Sequence, residues 1–420
     1  MNKKLLTLIA AASLSMVACG GGGGASPLTS ASPTPSSYTP TPVPTSGSNV
    51  HVQITPGSTV CGYTNAPCVT VTICQNITPT NTTCDTVPNV LLDTGSYGLR
   101  VFGSLLQNTG SSLPAVTSSG LPVSECVNYG DGTGNWGTIN LAYVTLNTTT
   151  TTQAIPIQII NNATTSVGGS NCPDAASVPT PIAFGTNGIL GVGPLQTDQG
   201  FGFYYTCSGS RCSSISTPPA SVVTNPITFF PPPNNNGLTL TFAGIPATGA
   251  TNADGYGIFG IGSNSSNTPG ASTTVFKIDG SGSNLTVNSS FNSVVYPSFL
   301  DTGSNEFVFS TAFLPDCGGA NAGFFCPTNN TAEAATMIGT NGLGTATSAV
   351  INFNIGNSNS LLASGNTAFS NIGMYIQGFG SIDWGLPFFL GRTVYMVFAG
   401  NTATINGVTY PATSKGYWIY

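Results

Sequence analysis

Charge and histidine are scarce in this sequence. Only 5% of its 420 residues are charged, with 7 basic residues against 13 acidic ones. A chain with so few cations is poorly suited to neutralising phosphates, so we expect no nucleic-acid partner. The one histidine, His51, leaves no base for Ser-His-Asp or Cys-His catalysis and too few ligands for most zinc enzymes. Carboxylates are the main catalytic groups that remain, and we expect neither a metal nor another cofactor.

The N-terminal apolar run is too short to span a membrane as a stable helix. Lys3 and Lys4 precede this mostly apolar run, which covers residues 5–17. A basic start followed by a short apolar segment is the pattern of a signal peptide, which we place at residues 1–18.

Residues 16–19, Met-Val-Ala-Cys, resemble a bacterial lipobox, in which Cys19 carries the lipid, although Met16 replaces the usual leucine. A plain signal peptide with a chance cysteine is the alternative. Because Gly20 rather than aspartate follows the cysteine, we expect an outer-membrane lipoprotein of a Gram-negative cell envelope, facing the periplasm or the outside.

A segment rich in Gly, Ser, Pro and Thr follows, with no apolar periodicity over residues 20–50. This composition predicts a lipid-anchored, disordered tether over residues 19–50. The tether would hold the folded body, from residue 51 onward, away from a membrane.

Ten cysteines follow Cys19, an even number that predicts up to five disulfides in an exported protein. Close spacing favours the pairs Cys61–Cys68, Cys74–Cys84, Cys207–Cys212 and Cys317–Cys326, and leaves Cys126 with Cys172. Spacing does not fix connectivity, and free or metal-binding thiols are the alternative.

Short β-branched runs alternate with Gly, Pro and Asn turns throughout the body, as at residues 68–74, 138–146 and 238–242. This pattern predicts an all-β fold. Helices should be few, and the best short candidates are residues 102–107 and 331–338.

The chain also contains a weak internal repeat. Residues 88–102, PNVLLDTGSYGLRVF, resemble residues 296–309, YPSFLDTGSNEFVF, and each copy places an aspartate after an apolar strand and before Thr-Gly-Ser. One Asp-Thr-Gly is weak evidence in a chain rich in Thr and Gly. Two copies with matching flanks, one in each half, are strong evidence for a pair of functional carboxylates, Asp93 and Asp301.

Each residue of the two turns has a physical role. Glycine lets the backbone fold under the carboxylate, threonine locks the loop, and serine donates to the outer carboxylate oxygen. Two carboxylates held about 3 Å apart share one proton, so one acts as base and the other as acid on a bound water, without a metal. The residues predicted to support the pair are Thr94, Gly95, Ser96, Thr302, Gly303 and Ser304.

Further segments in the same order make the body resemble the pepsin-like aspartic proteases. Residues 129–137, YGDGTGNWG, resemble the flap hairpin of that family, with Tyr129 at the place of its flap tyrosine and Gly130 and Asp131 beside it. A plain glycine-rich hairpin is the alternative.

Three more segments carry the resemblance. Residues 187–193 and 382–398 are similar to the two apolar-apolar-Gly segments, the first of which lies beneath the first aspartate in that family, and residues 237–245 are similar to the strand that closes the first lobe. Taken alone, the two apolar-Gly segments read as ordinary buried strands.

The resemblance implies a bilobal fold of two β-barrel lobes, residues 51–248 and 249–420, with Asp93 and Asp301 at the floor of a central cleft. It implies an aspartic endopeptidase that acts as a monomer. An extended peptide or unfolded protein would bind beneath the Tyr129 hairpin through main-chain hydrogen bonds.

Two residues depart from the family pattern. Arg100 stands where the family has a tryptophan that supports the flap tyrosine, and we expect a solvated strand residue there, with pairing to a carboxylate such as Asp131 as the alternative. Asp383, directly before Trp384, would be unusual if buried, and the sequence assigns it no role.

A second class of function stays open at this point. The chain also resembles uncharacterised bacterial lipoproteins, and a protein can keep a fold without turnover. The alternative is therefore a catalytically inactive pepsin-fold protein with a binding or structural role in the cell envelope.

Overall fold

The structure is a computed structural model that describes residues 38–56, 60–77, 82–129, 134–161, 180–181, 185–198, 202–208, 211–216, 221–280, 285–311 and 313–420. The predicted signal peptide, Cys19, Gly130 and Asp131 lie outside these ranges. Strands account for 46% of the structure, which confirms the predicted all-β class. Within the described ranges, no helix has both the length and the apolar character needed to cross a membrane.

The strands are short and follow one another through the whole body. Those up to residue 242 are β1 (Asn49–Ile54), β2 (Cys68–Cys74), β3 (Cys84–Asp93), β4 (Tyr97–Phe102), β5 (Thr117–Ser118), β6 (Leu121–Asn128), β7 (Gly134–Leu146), β8 (Thr149–Thr150), β9 (Ile155–Ile160), β10 (Gly188–Val192), β11 (Gly202–Ser208), β12 (Arg211–Ser214) and β13 (Gly237–Phe242). Those that follow are β14 (Ala253–Phe259), β15 (Val275–Lys277), β16 (Val287–Phe291), β17 (Val294–Leu300), β18 (Phe307–Val308), β19 (Thr331–Thr340), β20 (Ala346–Ile355), β21 (Gly373–Met374), β22 (Ile382–Trp384), β23 (Thr393–Val397), β24 (Ala403–Ile405), β25 (Val408–Tyr410) and β26 (Tyr417–Ile419).

The helices among the described residues are short. The α-helices are α1 (Ser358–Leu362) and α2 (Leu386–Phe389), and the 3₁₀ helices are Gly103–Leu105, Pro226–Phe229 and Gly319–Asn321.

The described strands form three sheets of 17, seven and two strands. The largest contains β1 to β15 together with β23 and β26, whereas the seven-stranded sheet contains β16 to β22. A closed six-stranded barrel and a half-barrel are present. Pairing of β1 with β14 and of β13 with β23 joins strands across the predicted lobe boundary at residue 248.

Burial along the strands follows from their sequences. In β1, alternate residues face the core, namely Val50, Val52 and Ile54, which is the period-two pattern of a half-buried strand. In β4, β10 and β22 every residue is buried, as in strands covered on both faces. These fully buried strands flank the two Asp-Thr-Gly-Ser turns.

One of the two helix candidates is wrong. Residues 331–338 lie in β19, which pairs with β20 along its whole length. Ala335 and Met337 are the buried residues of this strand, two positions apart, so sheet pairing prevails over helix propensity. The other candidate, residues 102–107, contains the 3₁₀ helix Gly103–Leu105.

The predicted tether is wrong for residues 38–50, because this stretch packs on the body. The Thr41 side chain is buried, its N–H donates to Asp254 Oδ1 at 2.9 Å, and its hydroxyl donates to the Asp254 carbonyl at 2.6 Å. The Ala243 N–H donates to the Thr41 hydroxyl at 2.8 Å. Composition alone missed this because the partners of the stretch, Asp254 and Asn264 among them, lie far along the chain.

Four predicted disulfides are confirmed: Cys61–Cys68, Cys74–Cys84, Cys207–Cys212 and Cys317–Cys326. Cys126 is also disulfide-bonded. Its predicted partner, Cys172, lies outside the described residues. Each of the four bridges closes a short loop, which limits the chain entropy that it removes from the unfolded state.

Candidate functional site

Each predicted aspartate ends a strand or directly follows one. Asp93 is the last residue of β3, and Asp301 follows β17 directly. A parallel strand lies beside each one: β10 places Gly191 opposite Asp93, and the Asp301 N–H donates to the Trp384 carbonyl in β22 at 3.1 Å. The two apolar-apolar-Gly segments therefore lie beside the two turns, and the first lies beside Asp93 as its resemblance implied.

The backbone of each turn folds back onto its own aspartate. The Gly95 N–H donates to Asp93 Oδ1 at 2.7 Å, and the Gly303 N–H donates to Asp301 Oδ1 at 2.7 Å. These N–H groups supply hydrogen bonds that orient each carboxyl group.

A serine hydroxyl meets the other oxygen of each carboxyl group. Ser96 donates to Asp93 Oδ2. Ser304 lies 3.0 Å from Asp301 Oδ2 and also 2.6 Å from Oδ2 of Asp383. The predicted serine role holds geometrically in both turns, but the second serine has an additional carboxyl neighbour.

The two threonines tie the turns together. The Thr94 hydroxyl donates to the Leu300 carbonyl at 2.9 Å, and the Thr302 hydroxyl donates to the Leu92 carbonyl at 2.7 Å. Each hydroxyl also accepts the backbone N–H of the opposite threonine, at 3.1 Å for Thr94 N–H and 2.9 Å for Thr302 N–H. Each half of the chain therefore completes the hydrogen bonds of the other half's turn.

The glycines bring the two carboxyl groups together. A Cβ placed on Gly95 would lie 2.6 Å from Cγ of Asp301, and one placed on Gly303 would lie 2.6 Å from Oδ1 of Asp93. Each glycine thus packs against the opposite aspartate at a distance that no side chain tolerates. The structure brings together all eight residues predicted for the two turns.

Burial and charge shape the acidity of the pair. Asp93 and Asp301 are each 1% exposed. Burial, the neighbouring Asp93 carboxylate and Asp383 raise the pKa of Asp301 well above its ordinary value, and Asp93 is also its hydrogen-bond partner. A proton is therefore retained between these two carboxyl groups at pH values where an isolated aspartate would have lost it.

Tyr97 is a further residue at the site that the sequence reasoning missed. It begins β4 and is buried, and burial together with the nearby Asp93 and Asp301 charges raises its pKa well above the ordinary value. Its phenol therefore stays neutral beside the pair. Its place directly after the first Asp-Thr-Gly-Ser was the available signal.

The predicted flap region forms a hairpin. Strands β6 and β7 are antiparallel, with Asn128 opposite Gly134, and Tyr129 follows β6 directly. Tyr129 is buried among apolar residues that include Ile189, and its hydroxyl accepts the Asn135 side-chain N–H at 3.1 Å. Tyr129 therefore anchors the C-terminal end of β6 to the body.

Arg100 is not solvated, so that prediction is wrong. It is 1% exposed, and its Nη2 lies 2.7 Å from Glu125 and 2.6 Å from Asp198. Nη1 donates to the Tyr97 carbonyl at 2.7 Å. Burial and the Glu125 charge raise the pKa of Asp198 well above its ordinary value, and the Arg100 charge acts against this rise.

Asp383 and Glu306 are buried acids next to the second turn, and the sequence reasoning assigned neither to the site. Asp383 is fully buried in β22 and meets the Ser304 hydroxyl. Burial raises the pKa of Glu306 to about 8. Among the described residues, no group of three or more His, Cys, Asp and Glu residues could hold a metal ion.

The molecule is therefore an all-β protein in which two matching Asp-Thr-Gly-Ser turns, one from each half of the chain, hold a buried carboxyl pair. The chain belongs to the family described as a protein of unknown function (DUF3443), which matches residues 45–413. No curated protein matches the chain.

Proposed function

We propose that the protein is an aspartic endopeptidase of the pepsin-like, bilobal type, with Asp93 and Asp301 as its catalytic pair. The observation that best supports this proposal is the mutual arrangement of the two turns. Each turn's glycine packs against the carboxyl group of the other turn, and each turn's threonine hydroxyl donates to a carbonyl of the strand before the other turn. Such crossing contacts hold two carboxyl groups at one point with little freedom, which general acid and base catalysis on one water requires.

In this mechanism the ionised member of the pair removes a proton from a water held between the carboxyl groups. The protonated member donates a hydrogen bond to the scissile carbonyl oxygen while the water oxygen forms a bond to the carbonyl carbon. The resulting gem-diol collapses when the C–N bond breaks and the leaving nitrogen takes a proton. No bond forms between enzyme and substrate.

The shared proton sets the pH dependence. Because burial and Asp93 raise the pKa of Asp301, the pair keeps one proton into mildly acidic solution. The rate should fall at lower pH, where both carboxyls are protonated, and at higher pH, where both are ionised. The limits of this bell-shaped profile belong to the pair and not to one residue.

The test uses the purified full chain and a library of unfolded proteins and peptides. We expect cleavage at mildly acidic pH and inhibition by a statine-type compound, whose hydroxyl replaces the attacking water. Asp93→Asn and Asp301→Asn should each abolish cleavage and leave the fold intact, because an amide keeps the shape but cannot serve as the base. Asp279→Asn is the matched control at an exposed aspartate and should cleave as the wild type does.

The alternative function is an inactive binding or structural protein of the cell envelope. A wild type that cleaves nothing across a wide pH range and a broad library would favour this alternative. Equal cleavage by the wild type and both asparagine variants would likewise reject the catalytic pair.

The proposed location is the outer membrane, through a lipid on Cys19, with an extended peptide or unfolded protein as substrate. The disulfides fit an oxidising compartment outside the cytoplasm. Mass spectrometry of the mature N-terminus should find an acylated Cys19. A mature chain that starts elsewhere, or an unmodified cysteine, would remove the anchor from this proposal.

A further inference from the structure

The Ser304 hydroxyl lies between two buried carboxyl groups. Its Oγ is 3.0 Å from Asp301 Oδ2 and 2.6 Å from Asp383 Oδ2. A hydroxyl carries one proton, so Ser304 can donate to only one of the two oxygens. The other short contact needs a proton on the carboxyl group, because two bare acceptors would repel each other at this distance.

The surroundings place that proton on Asp383. Asp301 is hydrogen-bonded to Asp93 and its Oδ1 accepts the Gly303 N–H, so its Oδ2 is the oxygen that accepts from Ser304. Asp383 is fully buried, and its Oδ1 has no hydrogen-bond partner among the described residues. An ionised carboxylate with an unpaired oxygen would be costly in the core.

The charged groups around Asp383 act in the same direction. Asp93 and Glu306 are the acids whose charges act on it, and Asp301 meets it through Ser304. Burial raises the pKa of Asp383 well above the ordinary value, despite the lowering contribution of Ser304. Asp383 is therefore neutral across the working range of the pair.

Among the residues that the structure describes, no buried acid stands at the matching position beside the first turn. In the strand register Ile189 pairs with Leu91, two residues before Asp93, and Asp383 pairs with Phe299, two residues before Asp301. Ile189 and Asp383 thus occupy matching positions. Within the described part of the chain, the Ser304 contact is the one hydrogen bond that offsets the desolvation of the Asp383 carboxyl group.

We propose that Asp383 is a positioning residue for the carboxyl pair: its protonated carboxyl donates to Ser304, turns the Ser304 hydroxyl towards Asp301, and so holds Asp301 in the orientation that meets Asp93. The chain of donors runs from Asp383 through Ser304 to Asp301. The activity readout rests on the proposed peptidase function, whereas the protonation of Asp383 does not.

The activity test compares two substitutions of Asp383. Asp383→Asn keeps a neutral donor to Ser304, whereas Asp383→Val places a branched apolar side chain there, of the type that Ile189 supplies in the first half. We expect Asp383→Val to lower kcat about tenfold, which corresponds to about 1.4 kcal/mol in the barrier, with KM nearly unchanged. Asp383→Asn should restore most of this loss and keep the shape of the pH profile.

Ser304→Ala tests whether Asp383 acts through the serine. The double variant Asp383→Val with Ser304→Ala should be no slower than Ser304→Ala alone, since both changes break one chain of donors. If the losses of kcat in the two single variants added up in the double variant, the proposal would be overturned. It would also be overturned if the basic limit of the Asp383→Asn pH–rate profile moved to lower pH, because this would show that Asp383 is charged in the wild type. Thermal unfolding of each variant checks that the fold is retained.

An infrared measurement tests the proton independently of peptidase activity. The difference spectrum of wild type minus Asp383→Asn, recorded at neutral pH, should show the C=O band of a protonated carboxyl. A carboxylate band in its place would overturn the inference whether or not the protein cleaves peptides. A wild type without cleavage that shows the protonated band would reject the proposed function and retain a neutral Asp383.

Discussion

The two Asp-Thr-Gly-Ser turns share their internal hydrogen bonds and differ in what surrounds them. Beside the first turn the strand register pairs Ile189 with Arg100, and beside the second it pairs Asp383 with Val308. The first half therefore buries the cation Arg100 where the second half has the apolar Val308. The second half buries the acid Asp383 where the first half has the apolar Ile189. The shared contacts are those that join the carboxyl groups, while the supporting residues have diverged.

The two halves differ in how the negative charge of their buried acids is balanced. In the first half, Glu125 and Asp198 face Arg100, so a cation balances the acids. In the second half, Glu306 and Asp383 lie without an ion-pair partner among the described residues, and burial raises the pKa of both, so that protonation balances them. Stability should therefore depend on the Arg100 side chain in the first half and on protonation of Glu306 and Asp383 in the second half.

The largest expected effect comes from removing the cation of the first half. Arg100→Val, which introduces the residue that stands at position 308, leaves Glu125 and Asp198 buried without their partner. We expect a loss of about 3–5 kcal/mol in the free energy of unfolding, measured by urea denaturation.

The control for this variant is an exposed ion pair. Lys277→Ala removes the contact with Asp279, 2.9 Å long and largely in solvent, and should change the free energy of unfolding by less than about 0.5 kcal/mol. If Arg100→Val were as mild as Lys277→Ala, the balance by a cation would be refuted.

An intermediate effect is expected from the glycines, where the two halves should respond alike. Gly95→Ala and Gly303→Ala each place a methyl group 2.6 Å from atoms of the opposite aspartate. Each should cost about 1–3 kcal/mol of stability and lower kcat about 10²-fold by separating the carboxyls. Gly270→Ala, where the methyl group meets open space, is the control. Damage by only one of the two changes would contradict the mutual packing of the turns.

The smallest expected effect is the pH dependence of the free energy of unfolding that Glu306 contributes in the second half. Burial raises the pKa of Glu306 from its ordinary value of about 4.5 to about 8, so the folded chain keeps a proton that the unfolded chain releases near pH 4.5. Stability contributed by this proton is full below that ordinary pKa and is lost as pH rises towards about 8.

Glu306→Gln should remove this loss, because glutamine is neutral in both states. Relative to the wild type, the variant should gain about 1–2 kcal/mol in the free energy of unfolding near pH 8 compared with pH 4. Urea denaturation at several pH values measures the difference. A gain that is equal at all pH values would show that Glu306 is not the group that titrates.

The parts of the site that were predictable from the sequence are the parts made by local chemistry. Asp-Thr-Gly-Ser is a turn signal as well as a chemical one, and repetition of the motif predicted all eight residues that the two turns bring together. Short β-branched runs between turn residues likewise predicted strands such as β2 and β13, because this signal is also local in the sequence.

The residues that escaped prediction depend on partners far along the chain. Arg100 meets Asp198 across 98 positions, and Ser304 meets Asp383 across 79. No spacing rule connects such distant positions. The sequence also contains 13 acidic residues, and nothing in it shows which of them is the partner of Arg100 or Ser304. The helix prediction for residues in β19 is wrong because pairing with β20 determines the structure of this segment. A helical pattern is judged within one short segment and contains no information on such pairing.

The crossing threonine contacts have a consequence for the order of events in folding. Leu92 accepts its hydrogen bond from Thr302, 210 positions later, and Asp301 is supported by β22, which ends at Trp384. Closing so long a loop is slow, since its entropy is lost before any contact rewards it. Chain synthesis runs from the N-terminus, so the carboxyl pair stays incomplete until β22 has been made. The pair should therefore form late in folding, after most of the chain is present.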